Sequence, residues 1–262
     1  MEHYTRDDVA DGLGTRVVGR DLRWHDTLPS TNEFAMRLAE THVPEGTVVV
    51  AEEQTAGRGR RGRAWISPRG GNWCSAILRP RLPLEQVPLV GLAASVAAAR
   101  AIRSGARLAA RVKWPNDVLV DGRKVAGVLT EAGPDAGWIV VGIGINANVE
   151  ASELAPGSRQ RAGSLAELAG APVDRGEVMR VLLRELDGAY TRLQEPAGPA
   201  WVLRSWRETA DTLGRAVLVE GQGRVLRGIA EDVDDLGALL VRTPGGVLER
   251  VVAGDVTLRR AE

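Results

Sequence analysis

Cysteine is nearly absent from this sequence, where Cys74 is the single one among 262 residues. One cysteine excludes a disulfide within the chain, and together with three histidines it shows no zinc-binding spacing. A long apolar run and a signal-peptide pattern are also missing, so we expect a cytoplasmic protein that does not contact a membrane. The signatures of a P-loop and of a nucleophile elbow do not occur either.

Neither sign of charge is in excess, since 34 basic residues face 34 acidic ones. A neutral protein has no overall field that attracts nucleic acid, so any basic patch must be local. Lysine is scarce: only Lys113 and Lys124 are lysines, and the other 32 basic residues are arginine. Because both lysines fall in one short segment, we infer that these positions need a compact ammonium group, which a planar guanidinium does not imitate.

What the chain does have is a run of glycine and arginine, Gln54-Thr55-Ala56-Gly57-Arg58-Gly59-Arg60-Arg61-Gly62-Arg63-Ala64-Trp65. Glycine lets the backbone approach a ligand while guanidinium groups reach it from several sides, which suits a phosphate or a carboxylate. A flexible segment that touches RNA without sequence preference is the alternative reading. Strand-like segments at 47–51 and 73–78 flank the run, so we expect an anchored loop, which favours the anion site.

Hydrophobic periodicity predicts a sheet packed against helices in an α+β protein of one or two domains. The predicted strands are 22–27, 47–51, 72–79, 110–114, 117–120, 124–131 and 138–146, and the predicted helices begin at Ser30, Pro88, Ser164 and Asp174 and near Trp201. The last two strands read as buried neighbours. The Ser30-Thr31-Asn32-Glu33 segment has a capping-box pattern, so a helix N-cap is the simplest structural explanation of its polar residues.

The pattern changes near residue 212 to short alternating strands broken by glycine turns, which predicts a small β-barrel. We therefore divide the chain into an N-terminal arm at 1–20, a main domain at 21–212 and a barrel at 213–262. The arm is too short and irregular for an independent helix-turn-helix module. Residues 147–163 have little apolar content and are long for a connection, which indicates a functional loop.

Two further clusters carry polar groups at strand ends. The first is Lys113-Trp114-Pro115-Asn116-Asp117, with Lys124 following across a turn. The second is Gly144-Ile145-Asn146, which leaves an amide at the end of a strand. Each has a purely structural reading, as a tight turn and as a satisfied strand terminus respectively. Their position beside the glycine–arginine loop predicts cations gathered on one face of the sheet.

Five motifs in order give the chain a specific resemblance to a known family. They are Ser30-Thr31-Asn32; Glu53-Gln54-Thr55-Ala56-Gly57-Arg58-Gly59-Arg60-Arg61-Gly62-Arg63 with Trp65; Lys113-Trp114-Pro115-Asn116-Asp117; Gly122-Arg123-Lys124-Val125-Ala126-Gly127 with Glu131; and Gly142-Ile143-Gly144-Ile145-Asn146. In this order they resemble biotin protein ligase over residues 22–262. The resemblance implies a mixed β-sheet catalytic domain like that of class II aminoacyl-tRNA synthetases, followed by an SH3-like barrel.

The resemblance also implies a two-step reaction. Biotin and ATP, with Mg2+, form biotinyl-5'-AMP and pyrophosphate, and a lysine of a biotin carboxyl carrier domain then takes the biotinyl group. The family's residues fall on this chain as follows: biotin-binding Ser30, Thr31, Asn32, Gln54, Arg58, Gly59, Arg60 and Lys124; ATP-binding Arg60, Arg63, Trp65, Asn116 and Asn146; catalytic Arg60, Lys113, Lys124 and Asp117. No protein side chains are expected to form a metal cage, because Mg2+ keeps most of its waters and leans on the phosphates.

Three other functions compete with this one. A DNA-binding repressor is disfavoured by the short N-terminal arm, and a gel shift would distinguish it. A lipoyl or octanoyl transferase on the same fold is disfavoured by the glycine–arginine run and the barrel, and calorimetry with biotin against lipoate would decide. An RNA-binding module is disfavoured by the neutral charge, and strongly salt-dependent RNA affinity would revive it.

Overall fold

The structure is a computed structural model, and it describes residues 4–41, 43–154, 162–221 and 224–258. In its larger part the helices are α1 Arg6–Ala10, α2 Thr31–Ala39, α3 Pro88–Gly105, α4 Ala151–Leu154, α5 Leu165–Ala169, α6 Arg175–Leu193 and α7 Gly198–Thr209. The strands there are β1 Leu22–Leu28, β2 Val48–Gln54, β3 Asn72–Leu78, β4 Arg111–Lys113, β5 Asp117–Val120, β6 Arg123–Ala132 and β7 Ile139–Ile145.

These seven strands form one mixed sheet in the order β1-β2-β3-β7-β6-β5-β4. Only β1 and β2 pair in parallel, and the other neighbours are antiparallel. The predicted pairing of β6 with β7 is confirmed by a register that runs from Ala126–Ile145 to Ala132–Ile139. The mixed sheet expected from the resemblance is therefore present.

Helices cover the two faces of the sheet. The long helices α3, α6 and α7 pack around the main core, where the alanine-rich α3 approaches its neighbours closely. On the other face α2 covers a smaller core, with Ala35 and Ala39 buried and Phe34 and Leu38 half-buried. Among the described residues one segment, Leu84–Gly105, is long and apolar enough to cross a membrane by length and composition, but 67% of its 18-residue apolar stretch is buried, as in a core helix.

The predicted helix starts are largely confirmed. Ser30, Ser164 and Asp174 each accept a hydrogen bond from the backbone N–H three residues later, as N-caps do. The capping box at Ser30 is only half formed, because the Glu33 carboxylate pairs with Arg37 at 2.8 Å rather than returning to the Ser30 backbone. Helix α6 begins at Arg175, directly after its cap.

The N-terminal arm contains a short helix, which the irregular sequence did not predict. Thr5 caps it with a complete capping box. The arm is held to the body by the buried Asp187 carboxylate, which accepts hydrogen bonds from the backbone N–H groups of Arg16, Val17 and Val18 at 2.9, 2.7 and 2.8 Å. The segment therefore folds against the main sheet and its helices.

The C-terminal part contains strands β8 Ala216–Gly221, β9 Arg224–Val233, β10 Leu239–Arg242, β11 Leu248–Val251 and β12 Asp255–Leu258. They form an antiparallel sheet in the order β11-β10-β9-β8-β12. Its edge strands β11 and β12 do not pair within the described residues, so the expected barrel is present as an open five-stranded sheet. The boundary near residue 212 lies between α7 and β8 and stays a prediction.

Within the predicted functional loop at 147–163, the structure describes residues 147–154 and 162–163. Residues Ala151–Leu154 form the short helix α4, and the two flanks are tied to the body by backbone hydrogen bonds, such as Gly163 N–H to the Lys124 carbonyl at 2.9 Å. Residues 155–161 of this loop lie outside the described residues.

Candidate active site

A large cavity of about 1890 Å3 lies between the main sheet and the C-terminal sheet. Strands β3, β5, β6 and β7 supply its floor, the glycine–arginine segment covers it, and β8, β9 and β12 close it on the far side. All of the predicted site residues line it: Ser30, Thr31, Asn32, Gln54, Arg58, Gly59, Arg60, Arg63, Trp65, Lys113, Asn116, Asp117, Lys124 and Asn146. The fold thus brings together five motifs that are far apart in the chain, while the role of each residue stays a prediction.

The glycine–arginine segment is an ordered hairpin-like loop. Arg58 and Ala64 form an antiparallel bridge, and the Gly59 N–H donates to the Arg63 carbonyl at 2.7 Å. The loop turns at Arg61 and Gly62, whose φ angles of 58° and 71° are left-handed. Glycine at the second position keeps this turn from needing two strained residues in succession. The loop is therefore anchored, as its flanking strands predicted.

The C-terminal sheet holds this loop through Asp255, a residue that the sequence reasoning missed. The Asp255 carboxylate pairs with Arg63 at 2.5 Å through one oxygen and with Arg61 at 3.2 Å through the other. Arg60 also donates to the carbonyl of Gly254 at 3.5 Å. Because Asp255 lies 192 residues after Arg63, no local pattern in the sequence signals the contact.

The two lysines of the chain share one carboxylate. Asp117 lies 2.5 Å from the Lys124 ammonium and 3.1 Å from the Lys113 ammonium, through different oxygens. The three residues come together because β5 pairs with β4 on one side and with β6 on the other. The inference that both positions need an ammonium group agrees with this geometry, since two compact cations fit around one buried carboxylate.

The pKa values at this cluster follow from burial and charge. Burial acts to raise the pKa of Asp117, but the Lys124 and Lys113 ammonium groups outweigh it and hold that pKa below its ordinary value. Burial lowers the pKa of Arg60, which remains a cation because guanidinium does not deprotonate in proteins. At neutral pH the cavity wall therefore carries an ionised Asp117 carboxylate and the Arg60 guanidinium cation.

At the other end the cavity forms an uncharged recess. Gln54 accepts a hydrogen bond from the Thr31 backbone N–H at 2.7 Å, and its amide nitrogen donates to Ser67 at 2.8 Å. Ser30 lines the same recess as the cap of α2. Hydroxyl and amide groups that are fixed in this way suit a neutral ligand with both donors and acceptors.

Two glycines of β7 provide space for side chains above the sheet. A Cβ at Gly142 would lie 1.9 Å from the Asn32 side-chain oxygen, and a Cβ at Gly144 would lie 2.5 Å from the Trp65 indole nitrogen. Asn32 and Trp65 therefore both require glycine beneath them. The Lys124 ammonium lies 5.0 Å from the centre of the Trp65 ring, which is a cation–π distance.

The two predicted nucleotide-binding asparagines differ in their bonding. Both ends of the Asn116 side chain have protein partners: its oxygen accepts from Arg60 at 3.2 Å, and its nitrogen donates to the Val128 carbonyl at 2.7 Å. Asn146 donates to the Gly163 carbonyl at 3.0 Å, but its buried side-chain oxygen has no partner among the described residues. A buried acceptor without a donor is costly, so this oxygen is suited to a ligand.

Glu131 pairs with two residues that are predicted to bind a ligand. It belongs to the fourth motif, but the sequence analysis assigned it no role. One carboxylate oxygen lies 2.9 Å from Arg58, and the other accepts from Asn32 at 3.0 Å.

The described residues include no cluster of three or more carboxylate, histidine or cysteine groups that could hold a metal. The fold and the cavity together define a class of protein in which a mixed sheet and a small C-terminal β-sheet enclose one cavity with a cationic wall and an uncharged recess.

Comparison with known proteins supports this class. The Biotin/lipoate A/B protein ligase family matches residues 24–148, and the Biotin protein ligase C terminal domain matches residues 212–259. The chain is 36% identical to the bifunctional ligase/repressor BirA of Bacillus subtilis, over 96% of this chain and 78% of that protein. It is 37% identical to the biotin–[acetyl-CoA-carboxylase] ligase of Paracoccus denitrificans, over 83% of this chain and 92% of the relative.

A solved structure shares the same architecture. The biotin protein ligase from Aquifex aeolicus in complex with biotin and ATP superposes with a TM-score of 0.79 and 31% identity, covering 92% of this chain and all of that one. With relatives of this identity and coverage, the chain belongs to the biotin protein ligase family.

We predict that Asp255→Ala loosens the glycine–arginine loop. Two partly exposed ion pairs are lost, each worth up to about 1 kcal/mol, so trypsin should cleave between Arg58 and Arg63 about tenfold faster. The matched control is Glu231→Ala, which removes an exposed partner of Arg242 on the same sheet. Equal cleavage rates at the loop in the two variants would show that Asp255 does not hold it.

We also predict that Asp117→Asn destabilises the protein in a pH-dependent way. Leaving two lysines around a neutral amide should cost about 3 kcal/mol at pH 7. Because the pKa of Asp117 is lowered in the folded state, its contribution is complete above the ordinary aspartate value near 3.9 and is lost as pH falls through the folded value.

The free energies of unfolding of wild type and Asp117→Asn, measured in urea from pH 7 down to pH 3, should therefore differ most at neutral pH, and the difference should shrink once the pH falls below about 4. The exposed Asp235→Asn variant serves as the control for a general change in charge. A difference between wild type and Asp117→Asn that stayed constant over this range would contradict the lowered pKa.

Proposed function

We propose that this protein activates biotin with ATP as biotinyl-5'-AMP and transfers the biotinyl group to a lysine of a carrier domain. The observation that carries the proposal is the pairing of two unlike regions in one cavity. The recess at Ser30, Thr31 and Gln54 is uncharged and hydrogen-bonding, and the wall at Arg60 and Lys124 is cationic. Biotin has the same two ends, a neutral cyclic urea and a carboxylate.

The ureido ring belongs in the recess. It has one carbonyl oxygen and two N–H groups, and each loses free energy if it is buried without a partner. The hydroxyl groups of Ser30 and Thr31 and the amide of Gln54 offer both donors and acceptors. Asn32 is also in place, although its contacts in the structure are to Ser75, Glu131 and the Leu129 carbonyl.

The first step brings two anions together. A biotin carboxylate oxygen attacks the α-phosphorus of ATP, the bond to the bridging oxygen breaks, and pyrophosphate leaves. Arg58, Arg60 and Lys124 are placed to offset the repulsion between the carboxylate and the phosphate. Their positive charges are fixed beforehand by Glu131, Asn116 and Asp117, so little reorganisation is needed when charge develops.

In the second step a carrier lysine amine attacks the acyl carbon of the adenylate. A C–N bond forms, the C–O bond to AMP breaks, and the amine loses a proton. Lys113 is our candidate for polarising the acyl group, with Asp117 as the residue that orients it at 3.1 Å. Sharing Asp117 keeps Lys113 and Lys124 within one cluster, so the same site serves both steps.

ATP would place its base against Trp65 and its phosphates toward the arginine loop. The unpartnered oxygen of Asn146 can accept from the nucleotide or face the phosphate-bound Mg2+, and it is the observation that fits this ion to the site. Mg2+ would neutralise charge on the phosphates. Arg63 completes the cationic wall in this proposal, and it is at present paired with Asp255.

The partner is a biotin carboxyl carrier domain, as implied by relatives named biotin–[acetyl-CoA-carboxylase] ligase. The proposal includes a cytoplasmic location, supported by the burial of the apolar helix α3 in the core. It does not include repression or DNA binding, and the N-terminal arm is held on the body of the protein through Asp187. A transferase for lipoyl groups would have no use for the hydrogen-bonding recess.

We predict that Arg60→Ala lowers biotin-dependent ATP–pyrophosphate exchange by about 100-fold or more while the fold persists, since a preorganised charge at the reacting phosphate is removed. Circular dichroism and the melting temperature check the fold. The control is Arg37→Ala, which removes an exposed arginine of α2 and should leave exchange unchanged. Exchange at the wild-type rate in Arg60→Ala would remove this residue from the reaction.

We predict that isothermal titration calorimetry detects binding of biotin and little heat with lipoate. Lipoate also carries a carboxylate, but it cannot pair the donors and acceptors of the recess, a loss worth about 1–3 kcal/mol for each buried group left unpaired. Addition of ATP with Mg2+ should change the apparent biotin affinity because the adenylate forms. Tighter binding of lipoate than of biotin would overturn the proposed substrate.

A further inference from the structure

The segment that leads into the C-terminal sheet lies along the edge of the main sheet, next to Lys113. Strand β4 is the last strand in the order of the main sheet, where it pairs with β5 on one side. On its other side Val112 and Ala210 form a parallel bridge, and the Val112 carbonyl accepts from the Asp211 N–H at 2.7 Å. Residues 210–212 therefore cover the outer edge of β4.

Trp114, the residue directly after Lys113, is held by the C-terminal part at two points. Its backbone N–H donates to the hydroxyl of the buried Thr212 at 2.8 Å. Its indole N–H donates to the Gly237 carbonyl at 3.0 Å. Both bonds are buried, and a buried N–H without an acceptor is costly, so the two bonds together fix where Trp114 lies.

The turn that carries Gly237 is well anchored. The Asp234 carboxylate accepts from the backbone N–H groups of Leu236 and Ala238, each at 2.9 Å. Gly237 has a φ of 81°, and a Cβ there would lie 2.7 Å from a side-chain carbon of Leu92 on α3. The turn thus packs closely on α3, and its carbonyl is a fixed acceptor.

The geometry of β4 links this hold on Trp114 to Lys113. In a strand, the backbone groups of neighbouring residues point to opposite edges. The Trp114 N–H faces Thr212, and Lys113 pairs with Asp117 on β5. A shift of the Trp114 backbone would therefore move the Lys113 ammonium, which lies 3.1 Å from the Asp117 carboxylate. Because the Lys113 side chain is only 10% exposed, it has little room to compensate.

The other lysine of the cluster has a different support. Lys124 lies on β6 and reaches Asp117 at its other oxygen. Its backbone is tied to the end of the 147–163 loop, through a bridge to Ala162 and a bond from the Gly163 N–H at 2.9 Å. The two lysines therefore share one carboxylate but are held by separate parts of the chain.

We propose that Thr212 is a positioning residue that holds Lys113, through Trp114, for the transfer step and has no part in adenylate formation. The inference rests on the proposed function, in which Lys124 acts in the first step and Lys113 in the second. Thr212 does not line the cavity, so it can act on a substrate only through its neighbours.

The test measures the two steps separately in Thr212→Val, which keeps the shape of the side chain but offers no acceptor to Trp114. Adenylate formation is followed as biotin-dependent ATP–pyrophosphate exchange. Transfer is followed as biotinylation of the carrier domain of an acetyl-CoA carboxylase by enzyme preloaded with biotinyl-5'-AMP. The maximal transfer rate should fall about tenfold, since a small misplacement of a reacting group costs up to about 100-fold. Exchange should stay within about twofold of wild type, and KM for the carrier domain should not change.

Thr212→Ser supplies the rescue, because its hydroxyl restores the acceptor, and its transfer rate should be close to that of wild type. Trp114→Phe removes the indole N–H instead, and its ratio of transfer to exchange should also fall. This second variant decides the question if Thr212→Val does not fold. The matched control is Thr209→Val, which removes a buried threonine hydroxyl that donates to the Ser205 carbonyl within α7, and its ratio should equal that of wild type.

The outcomes separate the two proposals. Wild-type protein that lacks biotin-dependent exchange or biotinylation of the carrier domain contradicts the proposed function. Wild-type protein that carries out both steps, with an unchanged ratio of transfer to exchange in Thr212→Val and Trp114→Phe, contradicts only the positioning role. Equal losses in both steps, together with a lower melting temperature, would also overturn it, because Thr212 would then merely support the fold.

Discussion

Three carboxylates on three strands hold most of the cations around the cavity in place. Asp117 on β5 takes both lysines, Glu131 on β6 takes Arg58, and Asp255 on β12 takes Arg61 and Arg63. Like charges gathered at short range repel one another, so a cationic wall is stable without a ligand only if such partners are built in. The arrangement keeps the wall positive and ordered, which is what an incoming carboxylate and phosphate require.

Because Asp255 lies on the C-terminal sheet, the order of the site depends on both sheets. The loop that covers the cavity is closed by a backbone hydrogen bond within itself at Gly59, and it pairs with the C-terminal sheet at Arg61 and Arg63. Exposed ion pairs are individually weak, so these contacts can yield when substrates or products move. The buried pairs at Asp117 are more costly to break, so the lysine cluster is the rigid part of the wall and the arginine loop is the adjustable part.

Much of the secondary structure and many residues of the site could be predicted, because these features depend on local patterns in the sequence. Periodicity and caps placed the strands and the starts of α2, α5 and α6, and the five motifs predicted residues that all line one cavity. Pairings between distant segments could not be predicted in the same way, and Asp255 and Ser75 are the examples. The short helix α1 was missed because its capping box at Thr5 stands in a segment without apolar periodicity.

The motif Gly142-Ile143-Gly144 shows how one pattern can carry information beyond its own strand. Alternate residues of a strand face the same side, so two glycines two positions apart leave two adjacent openings about 7 Å apart. Asn32 occupies the first and Trp65 the second. Asn32 belongs to the polar recess, and Trp65 lies beside the Lys124 ammonium. The spacing of two glycines thus fixes how far the neutral end of the cavity lies from its charged and aromatic end, because a strand is too stiff for the interval to vary.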